Sequence, residues 1–524
     1  MLRKLYYLYS GTNVPGTKGA PWSAETVDIV KEKIMWLLNK DGTIVNQMVP
    51  EPSFRETYFY ESPNYPLPTA KMGFSETTLR LAFHGCLKYS DGTGGCNGCL
   101  DLDKYFLYSN AKVPVGDNSG LNWAVAVLEA VYKDKDFPSS TGLPGTKNVP
   151  NLDVSLVDMA ASRADLWAFA GMVAVEHFIL KNHADCEAGK NGEYTTWCEG
   201  SVNGNWSGCE FNLEATKANM KFETGRSDCV TSRMPAYLPE GVDEVHPEVK
   251  GNGKDTTKFF REQFNFTMRE TVAIMGAHTI GQVHQSVSLL PYSWTREGQQ
   301  IFNNEYYKIM AHRKMYAMTA CVGNAQSQPG EGDFLTTLEG KGSLLDPMNV
   351  TELTGKMIWF HTYLRCPDCK GLAAGNFEDF ANRYDHVGGI DFCCGNDPAH
   401  PIPDGLECQP QCVIPMRRDE AFTNAEMGLM LDFSFNEETG KFEGCPGYDN
   451  ADDQDFVVGK VLHPECPYNK MITEEGTPIH KYVEEYADDQ DLWATHFGTT
   501  FKKMLGNGYG EQGQLDALVS GPDY

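Results

Sequence analysis

The sequence lacks long apolar runs and lacks an excess of positive charge. No stretch of its 524 residues approaches the ~20 consecutive apolar residues that a membrane span needs. Its 44 Lys and Arg residues stand against 71 Asp and Glu residues, which gives a net charge of −27. Such an acidic surface repels phosphate backbones and argues against nucleic-acid binding. With 41% hydrophobic residues, the chain can still bury a large core, so we expect a folded, acidic protein.

Cysteines, in contrast, are plentiful. There are 16, an even number, and they are clustered, which favours disulfide bonds. Disulfide bonds form in oxidising compartments, and three N-x-[ST] sequons, at Asn205, Asn265 and Asn349, also favour such a compartment. We therefore expect a secreted protein, or one in a secretory vesicle or other oxidising lumen, although its first ten residues do not resemble a signal peptide. Spacing does not determine which cysteines pair.

The segment from Cys366 to Cys412 allows two other interpretations. Its C-x-x-C, C-C and C-x3-C patterns could be zinc-binding knuckles. A structural zinc site needs two clean pairs with regular spacing, which this segment does not supply. No βαβ pattern surrounds the C-x-x-C, so a thioredoxin-like redox centre is disfavoured. Disulfides remain the favoured interpretation.

Strand patterns are scarce, whereas apolar residues recur at helical spacing in several segments. Residues 23–38 begin with Ser23, a suitable N-cap, and Thr267 with Glu270 fits a capping box. The sequence therefore predicts a mainly α protein. Helices are predicted over 23–38, 75–87, 121–132, 152–178, from 267 to near 281, and around 493–505.

Two histidines lie in helical segments that could support chemistry. Arg80 and His84 are four residues apart and share a helix face, and a neighbouring cation disfavours protonation of an imidazole. His278 follows an apolar helix, and a neutral imidazole there could bind a metal. On spacing alone, a buried histidine is more often a hydrogen-bonded core residue than a metal ligand, and an Arg/His pair four residues apart could be an ordinary solvated helix face.

The segment LRLAFHGC, followed by GAHTIG, resembles the plant, fungal and bacterial haem peroxidase superfamily. Further segments occur in the family's order, and their last member is typical of its cytochrome c peroxidase-like branch. The resemblance covers roughly residues 23–310 and 424–508. The further segments are 162–176, similar to the central helix; 222–228, similar to GRxD; 264–274, which precedes His278; 302–307, similar to FDNxYY; and 481–491.

The resemblance implies a haem peroxidase fold, in which two helical lobes sandwich a haem, here with disulfide-rich loop insertions. The corresponding units are an N-terminal extension (1–22), a core with the distal lobe and the first part of the proximal lobe (23–318), a Cys-rich insertion (319–423), the remainder of the proximal lobe (424–510) and a C-terminal tail (511–524).

On the distal side, the resemblance implies that His84 takes a proton from hydrogen peroxide and returns it to the departing oxygen. Arg80 would stabilise the developing negative charge, and Asn118 would orient His84. Phe83 takes the position that is tryptophan in the intracellular branch and phenylalanine in secreted members. Together these residues imply a ferryl intermediate and two one-electron oxidations of a donor.

On the proximal side, the resemblance makes His278 the ligand of the iron of haem b. The aspartate that hydrogen-bonds this histidine lies in an LPTDYSL-like stretch of the family, and Asp432 is the predicted counterpart. Trp294 stands where the cytochrome c and ascorbate peroxidase branch has its proximal tryptophan. His284 resembles the histidine near a haem propionate.

The sequence departs from the family at its cation sites and at one donor site. Gly85 replaces the aspartate that helps to bind the distal calcium, so that site is predicted to be lost. Thr279, Thr295 and Asn303 resemble a proximal cation site for potassium or calcium, with asparagine in place of the usual aspartate. Val287 replaces the arginine that ascorbate peroxidases use, which disfavours ascorbate.

We therefore expect an enzyme that reduces hydrogen peroxide and oxidises small phenolic or aromatic donors or protein tyrosines. The Cys-rich insertion could contact an extracellular protein partner. The alternative is a non-enzymatic extracellular or matrix protein that keeps the fold.

Overall fold

The part of the chain that the computed structural model describes consists mainly of helices, with several short strands. No helix in that part is both long enough and apolar enough to cross a membrane. The described residues are 18–40, 74–102, 105–108, 111–114, 118, 120–187, 222–229, 238–239, 241–247, 251–281, 294–295, 302–312, 316–319, 357–360, 421–436, 441–444, 461–462, 466–509 and 515–517.

Ten α-helices dominate these residues, which confirms the prediction of a mainly α protein. They are α1 (Ala24–Leu38), α2 (Phe74–His84), α3 (Leu121–Lys133), α4 (Arg163–Glu187), α5 (Gly253–Phe264), α6 (Met268–Met275), α7 (Glu305–His312), α8 (Asn424–Met430), α9 (Ile479–Asp488) and α10 (Gln490–Leu505).

Local chemistry sets where several helices begin. Ser23 caps α1 by accepting a hydrogen bond from the Thr26 backbone N–H. Thr267 and Glu270 form the predicted capping box of α6. The segment predicted as a helix from residue 152 becomes helical only at Arg163, because Ala160 adopts a left-handed conformation with φ 57° that interrupts an α-helix.

The first group of helices places α2, which carries Arg80 and His84. This helix packs against α4 and α3, and α1 covers α4. Gly171 lies where α4 meets α2, and a Cβ at this position would overlap the Cβ of Ala82. Glycine therefore permits the close approach of the two helices. The apolar residues of these helices and of the later ones form one continuous core.

The second group of helices surrounds the turn that carries His278. Helix α6 packs on α10 and leads into a 3₁₀ turn, Gly276–Thr279. Helix α8 packs on α5, and α7 packs on α9. Gly276 faces Trp493 and Tyr307, and a Cβ there would lie 2.5 Å from Trp493 Nε1 and 2.6 Å from the Tyr307 hydroxyl. This turn is therefore held tightly between α10 and α7.

Strands are short, but they join the predicted Cys-rich insertion to the core. An antiparallel sheet has the strand order β6 (Ala421–Thr423), β5 (Met357–Phe360), β4 (Tyr316–Thr319) and β9 (Val461–Leu462), and β5 lies inside the insertion. Trp359 of β5 is fully buried in the main core, and its Nε1 donates to Asn424 Oδ1 at 2.9 Å. Residues 357–360 are thus part of the core rather than of a separate subdomain. The strands are β1 (Tyr105–Tyr108), β2 (Ala111–Pro114), β3 (Glu223–Thr224), β4 (Tyr316–Thr319), β5 (Met357–Phe360), β6 (Ala421–Thr423), β7 (Ser434–Asn436), β8 (Lys441–Glu443), β9 (Val461–Leu462) and β10 (Asp516–Ala517).

Disulfide bonds, predicted from the clustered cysteines, are present among the described residues. Cys86 pairs with Cys96, directly after α2, and Cys99 pairs with Cys229. Cys466 is also disulfide-bonded. The first two bonds tie the loop that follows His84 to itself and to the segment after residue 222.

Candidate active site

The first histidine site lies at the C-terminal end of α2. The His84 side chain is buried, and its Nδ1 is 2.8 Å from Asn118 Oδ1. Asn118 stands just before α3, where its backbone oxygen accepts a hydrogen bond from the Leu121 N–H. The structure therefore brings together the two residues that the resemblance paired.

Glu244 determines which way the Asn118 amide points. Asn118 Nδ2 donates to Glu244 Oε2 at 2.5 Å and to the Asp101 backbone oxygen at 3.0 Å. Since the NH₂ group is used there, Asn118 Oδ1 is left to accept the Nδ1–H of His84. In neutral His84 the lone pair is then on Nε2, which makes Nε2 the basic atom.

Burial and charge keep His84 neutral. Burial lowers the pKa of His84 well below the ordinary value of 6.5, and the charges of Arg80 and His246 lower it further. The hydrogen bond to Asn118 acts in the opposite direction but does not offset these effects. His84 is therefore a neutral base at and below neutral pH.

The second histidine site lies in the turn after α6. His278 Nδ1 is 2.7 Å from Glu426 Oε1, and the Glu426 side chain is 1% exposed. The other oxygen, Oε2, accepts hydrogen bonds from the backbone N–H and the hydroxyl of Thr423. Both carboxylate oxygens therefore have donors, which orients the His278 ring and leaves its Nε2 for a ligand.

The prediction that Asp432 forms this hydrogen bond is wrong. Asp432 is exposed, and its backbone N–H donates to the Pro467 oxygen. The side chain that reaches His278 belongs to α8, six residues earlier. One signal could have shown this, because Glu426-Met-Gly-Leu429 fits the Asp-Tyr-Ser-Leu portion of the family stretch with Glu in place of Asp. The prediction chose Asp432 because it is an aspartate like the family residue, although Glu426 fits the alignment of the stretch.

Aromatic side chains surround His278. The Trp294 ring stacks on it, with ring centroids 4.1 Å apart and an interplanar angle of 9°. Tyr306 approaches edge-on at 6.2 Å. Burial, and then the charge of Glu426, raise the Tyr306 pKa well above its ordinary value, so this hydroxyl keeps its proton. Trp294 therefore takes the position that its spacing from His278 predicted.

The residues around His278 fit a haem ligand. The His278 side chain is 37% exposed, whereas Thr279 and Thr295 beside it are fully buried. The exposed part of a ring whose Nδ1 is anchored by a carboxylate is available to a metal, and carboxylate–histidine pairs are the usual support of metal-binding imidazoles. Phe83 lies edge-on to His84, at a ring-centroid distance of 5.4 Å, and contributes an apolar side chain to the distal site.

The three residues proposed for a proximal cation also come together. The Thr279 hydroxyl donates to Asn303 Oδ1 at 3.1 Å, and the Thr295 hydroxyl donates to the Thr279 backbone oxygen at 3.0 Å. All three residues are buried. The oxygens gathered here are uncharged.

The loop that begins at Gly85, where secreted family members bind the distal calcium, makes local contacts instead. A Cβ on Gly85 would be 3.0 Å from the Trp167 ring, so the aspartate of secreted family members has little room here. Asp91 Oδ1 accepts hydrogen bonds from Thr93, and Asn97 hydrogen-bonds the Tyr89 hydroxyl. His284 and Val287 lie outside the described residues.

Glu244 and His246 belong to the distal site, but the sequence did not reveal them. They occupy a short described segment, 241–247, whose Glu244 forms a β-bridge with Tyr89. No family motif or periodicity marked either residue. Only the tertiary contact with Asn118 and His84 brings them into the site.

Comparison with known proteins agrees with this geometry. The family model described as Peroxidase matches residues 66–328, half of the chain. A heme-binding peroxidase of Debaryomyces hansenii is 25% identical over 242 residues, which are 44% of this chain and 38% of that protein. A heme-binding peroxidase of Candida albicans is 24% identical over 234 residues, 44% of this chain and 55% of that protein. The cytosolic L-ascorbate peroxidase 1 of Oryza sativa subsp. indica is 25% identical over 231 residues, 44% and 62% respectively.

Two anchored histidines, His84 beside Asn118 and His278 beside Glu426, and a mainly helical fold agree with the class of a peroxidase. The chain belongs to the haem peroxidase superfamily, as its resemblance to that superfamily predicted. It spans less than two thirds of the length of each relative compared above.

Proposed function

We propose that this protein is an oxidoreductase that binds haem at His278 and reduces hydrogen peroxide at His84. The observation that carries the proposal is the pair of anchored imidazoles. His84 is held by Asn118 with its Nε2 free to act as a base, and His278 is held by Glu426 with its Nε2 free to bind iron. Haem, when bound, supplies the iron that receives peroxide and the electrons that reduce it.

The distal residues move the protons. His84 Nε2 takes a proton from one oxygen of hydrogen peroxide and delivers it to the other oxygen, which leaves as water. Asn118 keeps the ring in the tautomer that this transfer requires. Arg80, which shares the α2 face with His84, stabilises the negative charge that develops as the O–O bond breaks.

The proximal residues tune the ligand. The Glu426 carboxylate holds the His278 Nδ1–H and increases the electron donation of its Nε2. Trp294, parallel to His278 at 4.1 Å, is placed to lose an electron during turnover. The direct test is to add haem to the purified protein, record the Soret band and then add one equivalent of hydrogen peroxide. A rapid change of the band supports the proposal; no band in the presence of haem would favour a non-enzymatic protein.

The rate of the peroxide reaction should be insensitive to pH around neutrality. Neutral His84 is the active form, and burial together with the charges of Arg80 and His246 lowers its pKa below 6.5. Activity should therefore be lost only when the pH falls below the ordinary range of histidine pKa values. Stopped-flow measurement of the second-order rate constant from pH 8 to pH 4 tests this. A decline centred at or above pH 6.5 would contradict the geometry.

Replacement of Trp294 by phenylalanine should abolish an indole radical signal after peroxide addition while leaving haem binding intact. Phenylalanine preserves stacking on His278 but is much harder to oxidise. Electron paramagnetic resonance of samples frozen after mixing measures the radical, and the Soret band measures haem content. Replacement of the buried Trp167 by phenylalanine is the matched control, since its ring lies on α4. An unchanged radical in the Trp294 variant would remove Trp294 from electron transfer.

We propose that the donor is a small aromatic compound or a protein tyrosine rather than ascorbate. What supports this is Val287, which occupies the sequence position of the arginine used by ascorbate peroxidases. Steady-state rates with guaiacol should exceed those with ascorbate at equal concentration. The opposite order would place this chain with the ascorbate-using relatives in donor choice.

We propose a monovalent cation, potassium in preference to calcium, at Thr279, Thr295 and Asn303. Uncharged hydroxyl, amide and carbonyl oxygens suit a monovalent ion, whereas calcium sites usually include carboxylates. Thermal unfolding in potassium chloride should occur at a higher temperature than in tetramethylammonium chloride. Stabilisation by calcium alone would reverse the assignment.

We also propose secretion, or residence in an oxidising lumen. The disulfides of Cys86 with Cys96 and of Cys99 with Cys229 support it, as does the exposed sequon at Asn265. The Cys-rich insertion, tied to the core through β5, is the proposed contact for an extracellular protein. Expression in a secreting host should yield an endoglycosidase-sensitive protein in the medium; a reduced, unglycosylated intracellular product would contradict secretion.

A further inference from the structure

His246 is a second histidine beside the distal base. The centroids of the His246 and His84 rings are 5.2 Å apart. The segment that carries His246 is attached to the loop after α2, because the Ser90 N–H donates to the Asp243 oxygen at 2.8 Å. His246 therefore belongs to the distal pocket although it is distant from α2 in sequence.

One carboxylate anchors both histidines. Glu244 Oε2 lies 3.0 Å from His246 Nε2, and the same oxygen accepts the Asn118 amide that holds His84. Glu244 Oε1 accepts the Asp101 N–H at 2.9 Å. Since a carboxylate only accepts, His246 carries its proton on Nε2, and its Nδ1 is a base when the ring is neutral.

The His246 Nδ1 atom is enclosed but is not hydrogen-bonded within the described part of the protein. The His246 side chain is 10% exposed. A buried ring nitrogen without a partner is destabilising, so such an atom points to a bound water or a proton-carrying ligand. The free nitrogens of the two rings, His84 Nε2 and His246 Nδ1, are then two basic atoms anchored to one carboxylate.

We propose that His246 is a second base of the distal pocket, which exchanges protons between His84 and solvent. The inference rests on the proposed function. Reduction of one hydrogen peroxide to two waters consumes two electrons and two protons, and an aromatic donor supplies the electrons. His84 only relays the proton of peroxide itself, so the two consumed protons must enter the pocket. The segment that carries His246 reaches the surface at the adjacent Val245, which is 36% exposed, and the His246 side chain itself is 10% exposed.

The groups that face this pair are few among the described residues. Arg80 lies on the His84 side and Glu244 on the His246 side, and Tyr89 is close enough to Glu244 for its charge to raise the Tyr89 pKa, beyond the effect of burial. A positive charge on His246 disfavours protonation of His84. Removal of His246 should let His84 become protonated at a higher pH.

The test compares His246→Gln with Val245→Ala, a neighbouring control outside the hydrogen-bonded network. Glutamine can still donate an amide N–H to Glu244, so the fold and the orientation of Asn118 are retained while the base is lost. The first measurement is an NMR titration of histidine rings in the haem-free protein. The His84 transition should lie at higher pH in His246→Gln than in the wild type and in Val245→Ala.

The second measurement, in the haem-loaded protein, has two parts. The rate constant for peroxide reports the His84 pKa, and His246→Gln should react about three- to tenfold more slowly at pH 5 and within about twofold of the wild type at pH 8. Guaiacol turnover at saturating peroxide reports delivery of the two consumed protons, and His246→Gln should be slower than the wild type at both pH values. Val245→Ala should match the wild type at both values. If His246→Gln behaves like Val245→Ala in both measurements, the inference is overturned. If the wild type does not react with peroxide, the proposed function fails, and the NMR titration alone decides whether the histidines are coupled.

Discussion

Replacement of His84 by leucine is expected to slow the reaction with hydrogen peroxide by about 10²- to 10⁴-fold. Leucine has a similar volume but provides no base for the peroxide proton and no proton for the departing oxygen. Since His84 is on the distal side, haem bound at His278 should remain. Stopped-flow spectroscopy of the Soret band after mixing with peroxide measures the loss.

The control for this variant is His312→Leu. His312 ends α7 and hydrogen-bonds exposed Asp488, so its loss removes an imidazole without touching the distal pocket. It should react with peroxide at the wild-type rate. A His84→Leu protein that retains its Soret band and still reacts at that rate would reject His84 as the acid–base group. Loss of the Soret band in His84→Leu alone would instead show that the distal side contributes to haem retention.

Replacement of Glu426 by glutamine is expected to raise the reduction potential of the bound haem and to weaken haem binding by about 10- to 100-fold. Replacing the carboxylate by a neutral amide removes the negative charge that polarises the His278 Nδ1–H. The imidazole then becomes a weaker electron donor, and the oxidised iron is less stabilised. Spectroelectrochemical titration measures the potential, and competition with apomyoglobin measures haem affinity.

Asp432→Asn is the matched control for Glu426→Gln. Both changes replace a carboxylate by its amide, only six residues apart, but Asp432 is exposed whereas Glu426 contacts His278. The Asp432 variant should have the wild-type potential. A shift in the Asp432 variant, together with none in the Glu426 variant, would restore the assignment made from sequence and refute the contact.

The reach of the sequence is clearest in the helices. The helix predicted over residues 23–38 is present as α1, and Val27, Val30 and Ile34, which recur in it at helical spacing, are buried. The family segments likewise indicated His84 and His278, because each histidine lies within a short motif, LRLAFHGC for His84 and GAHTIG for His278. Short strands were underestimated, because the four residues of β5 are too few to show a strand periodicity even though Ile358, Trp359 and Phe360 favour strands, and pairing with β4 and β6 forms this strand.

The amino-acid sequence alone was sufficient for the helical class and the peroxidase resemblance, and that resemblance proposed the site residues Arg80, His84, Asn118, His278 and Trp294. Tertiary structure decided the partners of those residues. It selected Glu426 over Asp432 because Glu426 lies on α8 in contact with His278, whereas Asp432 follows the end of that helix and is exposed. It also brought Glu244 and His246 to the distal pocket from a segment without a motif. Periodicity and motifs report contacts over a few residues, whereas a hydrogen bond across 126 residues, such as that between Asn118 and Glu244, exists only once the chain has folded.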